Sequence, residues 1–216
     1  MANLWKKATA SLLTAALLSG GAPGLSASAG APVVSEAVSA SALAKDTAET
    51  AGEISVSRKG SLLLISGKGA LTAATLKDTD FSEITEVQVK AGITAIGSGA
   101  FLDQKTIKKV SLPDSVLTIE TNAFRGCETL EEIQFGSALK TIGSFAFYRC
   151  KSLASLALSD SVKTLETGAF QECTALKNAA LGNGVKKLPI QLFRGCTSLE
   201  TVELSPSLEV IGEQSF

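Results

Sequence analysis

Apolar and polar positions alternate along most of the chain with a fixed period of 23 residues. Phenylalanine recurs at this spacing, and so does cysteine, without an insertion in any unit. The phenylalanines of this series are Phe101, Phe124, Phe147, Phe170, Phe193 and Phe216. Six units therefore begin at Ile84, Ile107, Leu130, Leu153, Leu176 and Leu199. A constant period of this length is the sequence signature of a repeat architecture.

The spacing of apolar residues within a unit predicts its local structure. In the third unit, residues 130–135 alternate between apolar and polar positions at their end, which is typical of a half-buried strand. A turn is predicted at Gly136 and Ser137, followed by a second short extended segment with Leu139 and Ile142. Residues 144–150 place apolar side chains at helical spacing, which predicts about two turns of helix.

A single unit of this kind cannot fold by itself. Burying about eight side chains gains roughly 12–16 kcal/mol, whereas ordering 23 residues costs roughly 25–45 kcal/mol. Stacking compensates, because each strand pairs with the same strand of the next unit and each apolar row meets its equivalent. The pattern therefore predicts a solenoid with parallel sheets, in which Phe124 stacks on Phe147 and Phe147 on Phe170.

The segment before the first unit has a different pattern. Ile54 and Val56 lie in one strand-like stretch and residues 62–65 in another, with a turn between them at Arg58-Lys59-Gly60. We expect a β-hairpin that covers the open end of the first unit, since solenoids require such caps for solubility.

The repeating unit resembles the BspA-like leucine-rich repeat, whose signature is Ala-Phe-x-x-Cys. Ala123-Phe124-Arg125-Gly126-Cys127 and Ala146-Phe147-Tyr148-Arg149-Cys150 carry this resemblance, as does Ala169-Phe170-Gln171-Glu172-Cys173. The first unit departs from it with Gln104 in place of cysteine, and the fifth with Leu192 in place of alanine. The resemblance covers residues 84–216, and the segment Leu63-x-Ile65-Ser66-Gly67-x-Gly69 extends it to about residue 53.

The resemblance implies an α/β leucine-rich-repeat solenoid with parallel β-sheets, short helices and an N-terminal β-hairpin cap. Such repeats are similar to those of secreted and surface proteins of bacteria and some protists. Many of these proteins are adhesins that bind host matrix glycoproteins or other cells.

Four segments follow from composition and pattern. Residues 1–29 resemble a secretory signal, with Lys6 and Lys7 before an apolar stretch and a small-x-small site at Ala27-Ser28-Ala29. A retained membrane anchor is the alternative, although the apolar stretch is shorter than the ~20 residues that span a bilayer. Residues 30–50 form a flexible linker rich in alanine, serine and threonine, residues 51–83 the cap, and residues 84–216 six units. The last unit is incomplete, so we expect that the natural protein is longer, the alternative being that this end pairs with another chain.

Charge and composition exclude several classes of function. Signal cleavage removes Lys6 and Lys7 and lowers the net charge from −1 to −3, so nucleic acid is an unexpected partner. The chain has no histidine, which removes the commonest general base and the commonest metal ligand. We therefore expect no enzyme, no cofactor, no metal and, after signal cleavage, no membrane span.

The four cysteines, Cys127, Cys150, Cys173 and Cys196, are evenly spaced rather than paired as in a zinc site. Equivalent residues of adjacent units lie ~5 Å apart, within the range that a disulfide tolerates. Their side chains, however, all point into the core in parallel. Buried free thiols are the favoured interpretation, with one or two disulfides or a metal or redox role as alternatives.

The outward positions of the first strand vary from unit to unit while the core positions stay uniform. This contrast is expected when one scaffold displays a specific binding pattern. The candidate binding residues are Lys108, Lys109, Glu131, Glu132, Ser155, Lys177, Asn178, Glu200 and Glu203. Small side chains at Ala154, Ser155 and Ala157 let a partner approach the backbone. The alternative is a solvated surface with Lys–Glu pairs between neighbouring units.

These observations predict a secreted or cell-surface module that binds a protein or glycan outside the cell through this sheet, as an adhesin does. A structural spacer or cell-wall scaffold that presents a further C-terminal domain is the second hypothesis. The sequence does not specify the oligomeric state.

Overall fold

The computed structural model describes residues 53–216, which form a solenoid with one rung from the cap and six from the repeating units. Each unit contributes one strand to a first sheet and one to a second sheet. The strands of the first sheet are β1 (Ser55–Lys59), β2 (Leu62–Ser66), β4 (Glu86–Val89), β6 (Lys109–Ser111), β8 (Glu132–Gln134), β10 (Ser155–Ala157), β12 (Asn178–Ala180) and β14 (Thr201–Glu203). The strands of the second sheet are β3 (Gly69–Leu71), β5 (Ile93–Ile96), β7 (Thr118–Ile119), β9 (Thr141–Ile142), β11 (Thr164–Leu165), β13 (Lys187–Leu188) and β15 (Val210–Ile211).

Pairing within each sheet is parallel from unit to unit. Val110 pairs with Ile133 in the first sheet, and Ile119 pairs with Ile142 in the second. Each sheet is interrupted once: the first between β8 and β10, and the second between β11 and β13. The predicted solenoid with parallel sheets is confirmed, and the two interruptions are features that the repeat pattern did not predict.

The predicted β-hairpin is present at the N-terminal end of the solenoid. β1 pairs with β2 in antiparallel fashion, and β2 pairs in parallel with β4 of the first unit. β3 in turn pairs with β5, so the cap supplies a complete rung against which the first unit packs. The predicted signal segment 1–29 and linker 30–50 lie outside the described residues.

The core is a set of continuous apolar columns that run through successive units. Ring centroids lie 5.0 Å apart for Phe101 and Phe124, 5.2 Å for Phe124 and Phe147, and 5.3 Å for Phe147 and Phe170. These ring planes are within 7° of parallel, and the rings are fully buried. A constant 23-residue period produces this stack, because it returns the same side chain to the same place in every rung.

The helix predicted for residues 144–150 is wrong. Phe145 and Arg149 have left-handed backbone angles, with φ of 56° and 62°, and the equivalent positions of other units do as well. Left-handed residues cannot continue a right-handed helix. The N–H of Phe147 therefore donates to the carbonyl of Ala169 in the next unit (2.8 Å), while that of Cys150 donates to Phe147 (3.1 Å). Within residues 53–216 the one α-helix is α1, Ala73–Leu76, in the cap.

Aspartates at the turn after the first strand join neighbouring units. The carboxylate of Asp114 accepts hydrogen bonds from the backbone N–H (2.6 Å) and hydroxyl (2.9 Å) of Ser137. Asp160 accepts in the same way from the backbone N–H of Asn183 (2.7 Å). These backbone N–H donors hold the pKa of both carboxyl groups below the ordinary value of 3.8.

The lowered pKa values predict a loss of stability in acid. A carboxyl whose pKa is depressed by folding stabilises the protein fully above pH 3.8, and this contribution disappears as the pH falls through the folded value. We expect the urea midpoint to be constant between pH 6 and 8, where the chain has no histidine to titrate, and to fall below pH 4. Denaturation followed by circular dichroism at each pH measures this.

The matched variants for this prediction are Asp114→Asn with Asp160→Asn, compared with Asp78→Asn. Asp78 is an exposed aspartate of the cap whose side chain is 90% accessible. We expect the double variant to show a shallower acid loss and Asp78→Asn to behave as the parent. If the urea midpoint of the double variant fell in acid as steeply as that of the parent, the turn aspartates would not be the cause of the acid loss.

Candidate functional site

The candidate residues lie together on the outer surface of the first sheet. We define the strand surface as the outward residues of β6, β8, β10, β12 and β14, together with the residue before each strand. All nine predicted binding residues belong to it and all are exposed: Lys108, Lys109, Glu131, Glu132, Ser155, Lys177, Asn178, Glu200 and Glu203. The parallel register aligns them in rows, as in the pair of Lys109 with Glu132 and that of Asn178 with Thr201.

The part of the strand surface on β6 and β8 is internally paired. Lys108 Nζ lies 3.5 Å from Glu131 Oε1, and Lys109 Nζ lies 3.4 Å from Glu132 Oε2. The Gln134 amide donates to Glu132 (3.0 Å), and this hydrogen bond, followed by Lys109, lowers the pKa of the Glu132 carboxyl. Exposed pairs of this kind contribute little stability. They do neutralise one another, so this half presents a polar surface without excess charge.

The first sheet opens at the boundary between its two halves. β8 and β10 are not paired. Ile133 on β8 and Phe135 just beyond it are half-buried. The equivalent residues of the next unit, Leu156 and Leu158, are buried. Phe135 replaces the smaller apolar residues found at its position elsewhere. Its ring packs edge-on against that of Phe147, with centroids 5.9 Å apart. The interruption of the first sheet thus lies beside the largest side chain found at this position.

The part of the strand surface on β10, β12 and β14 is different in character. Small residues lie in register, with Ser155 beside Asn178 and Ala157 beside Ala180. The Thr201 hydroxyl donates to Asn178 Oδ1 (2.6 Å). Within the described residues, the neighbouring charged side chains form no ion pair; these are Lys177, Glu200 and Glu203. This half therefore offers a surface of small side chains, flanked by charged side chains that can pair with a ligand.

The four cysteines are buried free thiols. Each thiol donates to the carbonyl of the phenylalanine 26 residues earlier, as in Cys127 to Phe101 (3.0 Å) and Cys150 to Phe124 (3.3 Å). Burial raises the pKa of Cys127 to about 12 and that of Cys150 well above its ordinary value. Cys196 is the least buried of the four, with 9% of its surface exposed to solvent. Its hydrogen bond with Cys173 lowers its pKa. The column is therefore part of the core, and the first three thiols are poor nucleophiles.

A charged aromatic cluster on the turn segments was not predicted from the sequence. The guanidinium carbons of Arg125 and Arg149 lie 5.3 and 5.2 Å from the ring centroid of Tyr148. Glu172 accepts from the Tyr148 hydroxyl (3.0 Å) and from Arg149 Nε (2.8 Å). The hydrogen bond from Arg149 is the main reason that the pKa of Glu172 is lowered. These groups satisfy one another and stabilise adjacent turns.

A cavity of about 510 Å³ lies on the second sheet, at its interruption between β11 and β13. Lys163 and Thr164 line one side, and Lys187, Pro189 and Ile190 line the other. The sequence signal that could have found it is Pro189, which occupies a position where the other units have glycine or glutamate. Proline has no N–H to continue the ladder of hydrogen bonds.

Residues 53–216 contain no group of three or more cysteine or acidic side chains arranged to hold a metal ion. No helix in this part of the chain is long and apolar enough to cross a membrane.

Solved structures of bacterial leucine-rich-repeat proteins have a similar fold. The T. pallidum leucine-rich-repeat protein TpLRR matches with a TM-score of 0.60 and 24% identity, over 78% of this chain and 86% of that one. A leucine-rich-repeat protein from Bacteroides ovatus matches with a TM-score of 0.63 and 23% identity, over 76% of this chain and 49% of that one. The pneumococcal vaccine antigen PcpA matches with a TM-score of 0.54 and 24% identity, over 74% of this chain and 36% of that one.

The sequence comparison defines the family. No curated protein sequence matches the chain. The chain spans about half of the Bacteroides ovatus protein and about a third of PcpA, and at these identities the structural likeness establishes the fold alone. The profile of the BspA type leucine rich repeat region, in contrast, matches six copies over residues 94–216, which is more than half of the chain. The chain belongs to the BspA-type leucine-rich-repeat family.

Proposed function

We propose that this protein is a secreted or cell-surface recognition module that binds a protein or glycan outside the cell through its strand surface. The observation that carries the proposal is the contrast between the uniform core and the varied outward residues on the same strands. Selection for stacking explains the core positions but does not require any particular residue on the strand surface. An adhesive role is in keeping with the family, and a place on the cell surface is in keeping with the likeness to PcpA, a vaccine antigen.

The half on β10, β12 and β14 is the better candidate for the contact itself. In the described part of the chain, Lys177, Glu200 and Glu203 are exposed without ion pairs, and the small residues beside them let a ligand reach the backbone. Binding here needs surface complementarity and no covalent step. The Lys108–Glu131 and Lys109–Glu132 pairs then act as the solvated flank.

The test is binding of the full chain to immobilised matrix glycoproteins, glycans and bacterial wall fragments. We expect saturable binding to at least one component, and a loss of at least about tenfold in affinity for Ser155→Arg with Asn178→Arg. Both positions are exposed, so the arginines block the surface of small side chains without disturbing the core.

The control exchanges one internal pair, Lys108→Glu with Glu131→Lys, which preserves the ion pair in reversed orientation. Circular dichroism verifies that both variants are folded. Binding that survives the two arginines would contradict the proposed surface. Failure to bind any component would favour the second candidate, a spacer whose paired Lys–Glu residues serve solubility.

A further inference from the structure

The interruption of the second sheet coincides with a local change in the sequence. In the other units, the residue after the second strand donates its N–H to the preceding rung, as Glu166 does to Ile142 (3.0 Å) and Gly212 to Leu188 (2.9 Å). Pro189 occupies this position in the fifth unit and has no N–H. Within the described residues, the carbonyl of Leu165 is therefore left without the donor that its equivalents have.

The aromatic stack opens at the same rung. The rings of Phe170 and Phe193 are 5.9 Å apart and inclined by 20°, compared with 5.3 Å and 5° for Phe147 and Phe170. Leu192, which replaces the alanine of the other units, is fully buried beside Phe193 and needs more room than alanine. Pro189 and Leu192, two departures from the repeat pattern in one unit, thus lie in the rung that borders the cavity.

The cavity walls combine cationic, hydroxyl and apolar groups. Lys163 Nζ donates one hydrogen bond to the carbonyl of Asp160 (2.9 Å) and forms no ion pair in the described part of the chain. Lys187 forms none there either. Thr164 contributes an exposed hydroxyl, and Leu165 and Pro189 contribute buried apolar surface. An ammonium group carries three donors, so both lysines have donors to spare.

The one carboxylate in the cavity wall does not neutralise these lysines. Glu166 accepts from the backbone N–H (3.0 Å) and the hydroxyl (2.9 Å) of Ser144, which directs it toward the preceding unit. A further lysine, Lys140, is exposed on the adjacent rung without an ion pair in this part of the chain. The cavity therefore has an excess of positive charge within a protein whose net charge is −1.

We propose that this cavity binds an acidic sugar residue of a glycan. The carboxylate or sulfate of such a sugar pairs with Lys163 and Lys187, and its hydroxyls supply the donor that the Leu165 carbonyl lacks and an acceptor for Thr164. Its C–H groups pack against Pro189 and Ile190. A volume of about 510 Å³ suits a ligand of this size. This cavity lies on the opposite sheet from the strand surface, so the proposal does not rest on the proposed function.

Titration of the full chain with small probes tests the proposal, by calorimetry or by ligand-observed NMR. The probes are glucuronic acid, N-acetylneuraminic acid, glucose as the neutral comparison, and the acidic peptide acetyl-Glu-Gly-Glu. We expect one of the acidic sugars to bind with a Kd of the order of 1 mM, and glucose to bind at least about tenfold more weakly. The affinity should fall as salt is added.

Two variants and one control locate the binding. Lys163→Gln with Lys187→Gln should lower the affinity for the acidic sugar by at least about tenfold. Pro189→Gly restores the N–H that the first, third and sixth units have there, and should also weaken binding by allowing β13 to pair with β11. Lys59→Gln with Lys90→Gln removes the same charge from exposed positions of the cap and the first unit, which do not line the cavity, and should leave the affinity unchanged.

Four outcomes would overturn the proposal. One is the absence of binding by either acidic sugar at concentrations well above the expected Kd. Another is equal binding of glucose, which would show that the lysines do not select the ligand. The third is tighter binding of the acidic peptide, which would make the cavity a peptide site. Loss of sugar binding in the control variant would count against the cavity as well.

Discussion

Replacement of Phe147 by alanine is expected to destabilise the protein by about 3–5 kcal/mol, the range for truncating a fully buried phenylalanine. The Phe147 ring lies between those of Phe124 and Phe170, at 5.2 and 5.3 Å, and meets the edge of Phe135. Its removal leaves a cavity that the neighbouring rungs cannot fill, because both are fixed by their own ladders of hydrogen bonds. Urea denaturation followed by circular dichroism measures the loss.

The matched control is Phe145→Ala in the same unit. Phe145 is half-buried, has a left-handed φ of 56° and contacts the edge of Tyr148, with centroids 6.0 Å apart. We expect the free energy of unfolding of this variant to fall by about 1 kcal/mol, the contribution of one aromatic contact. Equal losses of stability in the two variants would show that the buried phenylalanine column is no more important than a half-buried aromatic residue. A second, lower transition in Phe147→Ala would show that the central unit couples the two ends of the array.

Gly136→Ala is the second change with a large expected effect, about 1–3 kcal/mol of destabilisation. A Cβ at Gly136 would collide with the carbonyl group of Pro113 and lie 2.8 Å from the Cα of Asp114. Both contacts are backbone atoms of the preceding unit, so no side-chain rotation relieves them. The turn has to move outward, which strains the hydrogen bond that the Ser137 N–H donates to the Asp114 carboxylate. Thermal and urea denaturation of the variant measure the cost.

Gly99→Ala separates this steric effect from backbone strain. Gly99 has a left-handed φ of 62°, but the nearest atom to an added Cβ is 3.8 Å away, on Leu102. We expect a cost of about 1 kcal/mol for the left-handed conformation alone. Asn122 and Gln191 adopt the same conformation at the equivalent position of other units, so the turn accepts a side chain there. A loss for Gly99→Ala as large as that for Gly136→Ala would contradict the steric explanation.

The proposed binding regions differ in how far the sequence could reveal them. The strand surface follows directly from the period, because strands of known register place Lys109 beside Glu132 and Asn178 beside Thr201. The neutralisation of Lys108 and Lys109 by Glu131 and Glu132 became evident only from the positions of the side chains. The cavity beside Pro189 could be found only in the structure, although the sequence marks its rung with a proline that lacks the N–H of its equivalents.

The sequence by itself determined the number of units, the columns of phenylalanine and cysteine, and the parallel sheets. A period of 23 residues constrains all of these, because equivalent residues can form a continuous core only when they stack in register. It also predicted the hairpin that caps the first unit, from strand patterns separated by a turn.

Only the tertiary structure decided the conformation of the turn segments and the continuity of the two sheets. Residues 144–150 have helical spacing, yet the N–H groups of alternate residues bond to the next unit, and left-handed residues such as Phe145 make this possible. The breaks beside Phe135 and Pro189 likewise depend on how one rung fits the next. A pattern within one unit records which side chains are buried, whereas the partners of its backbone belong to a neighbouring unit and are chosen when the units stack.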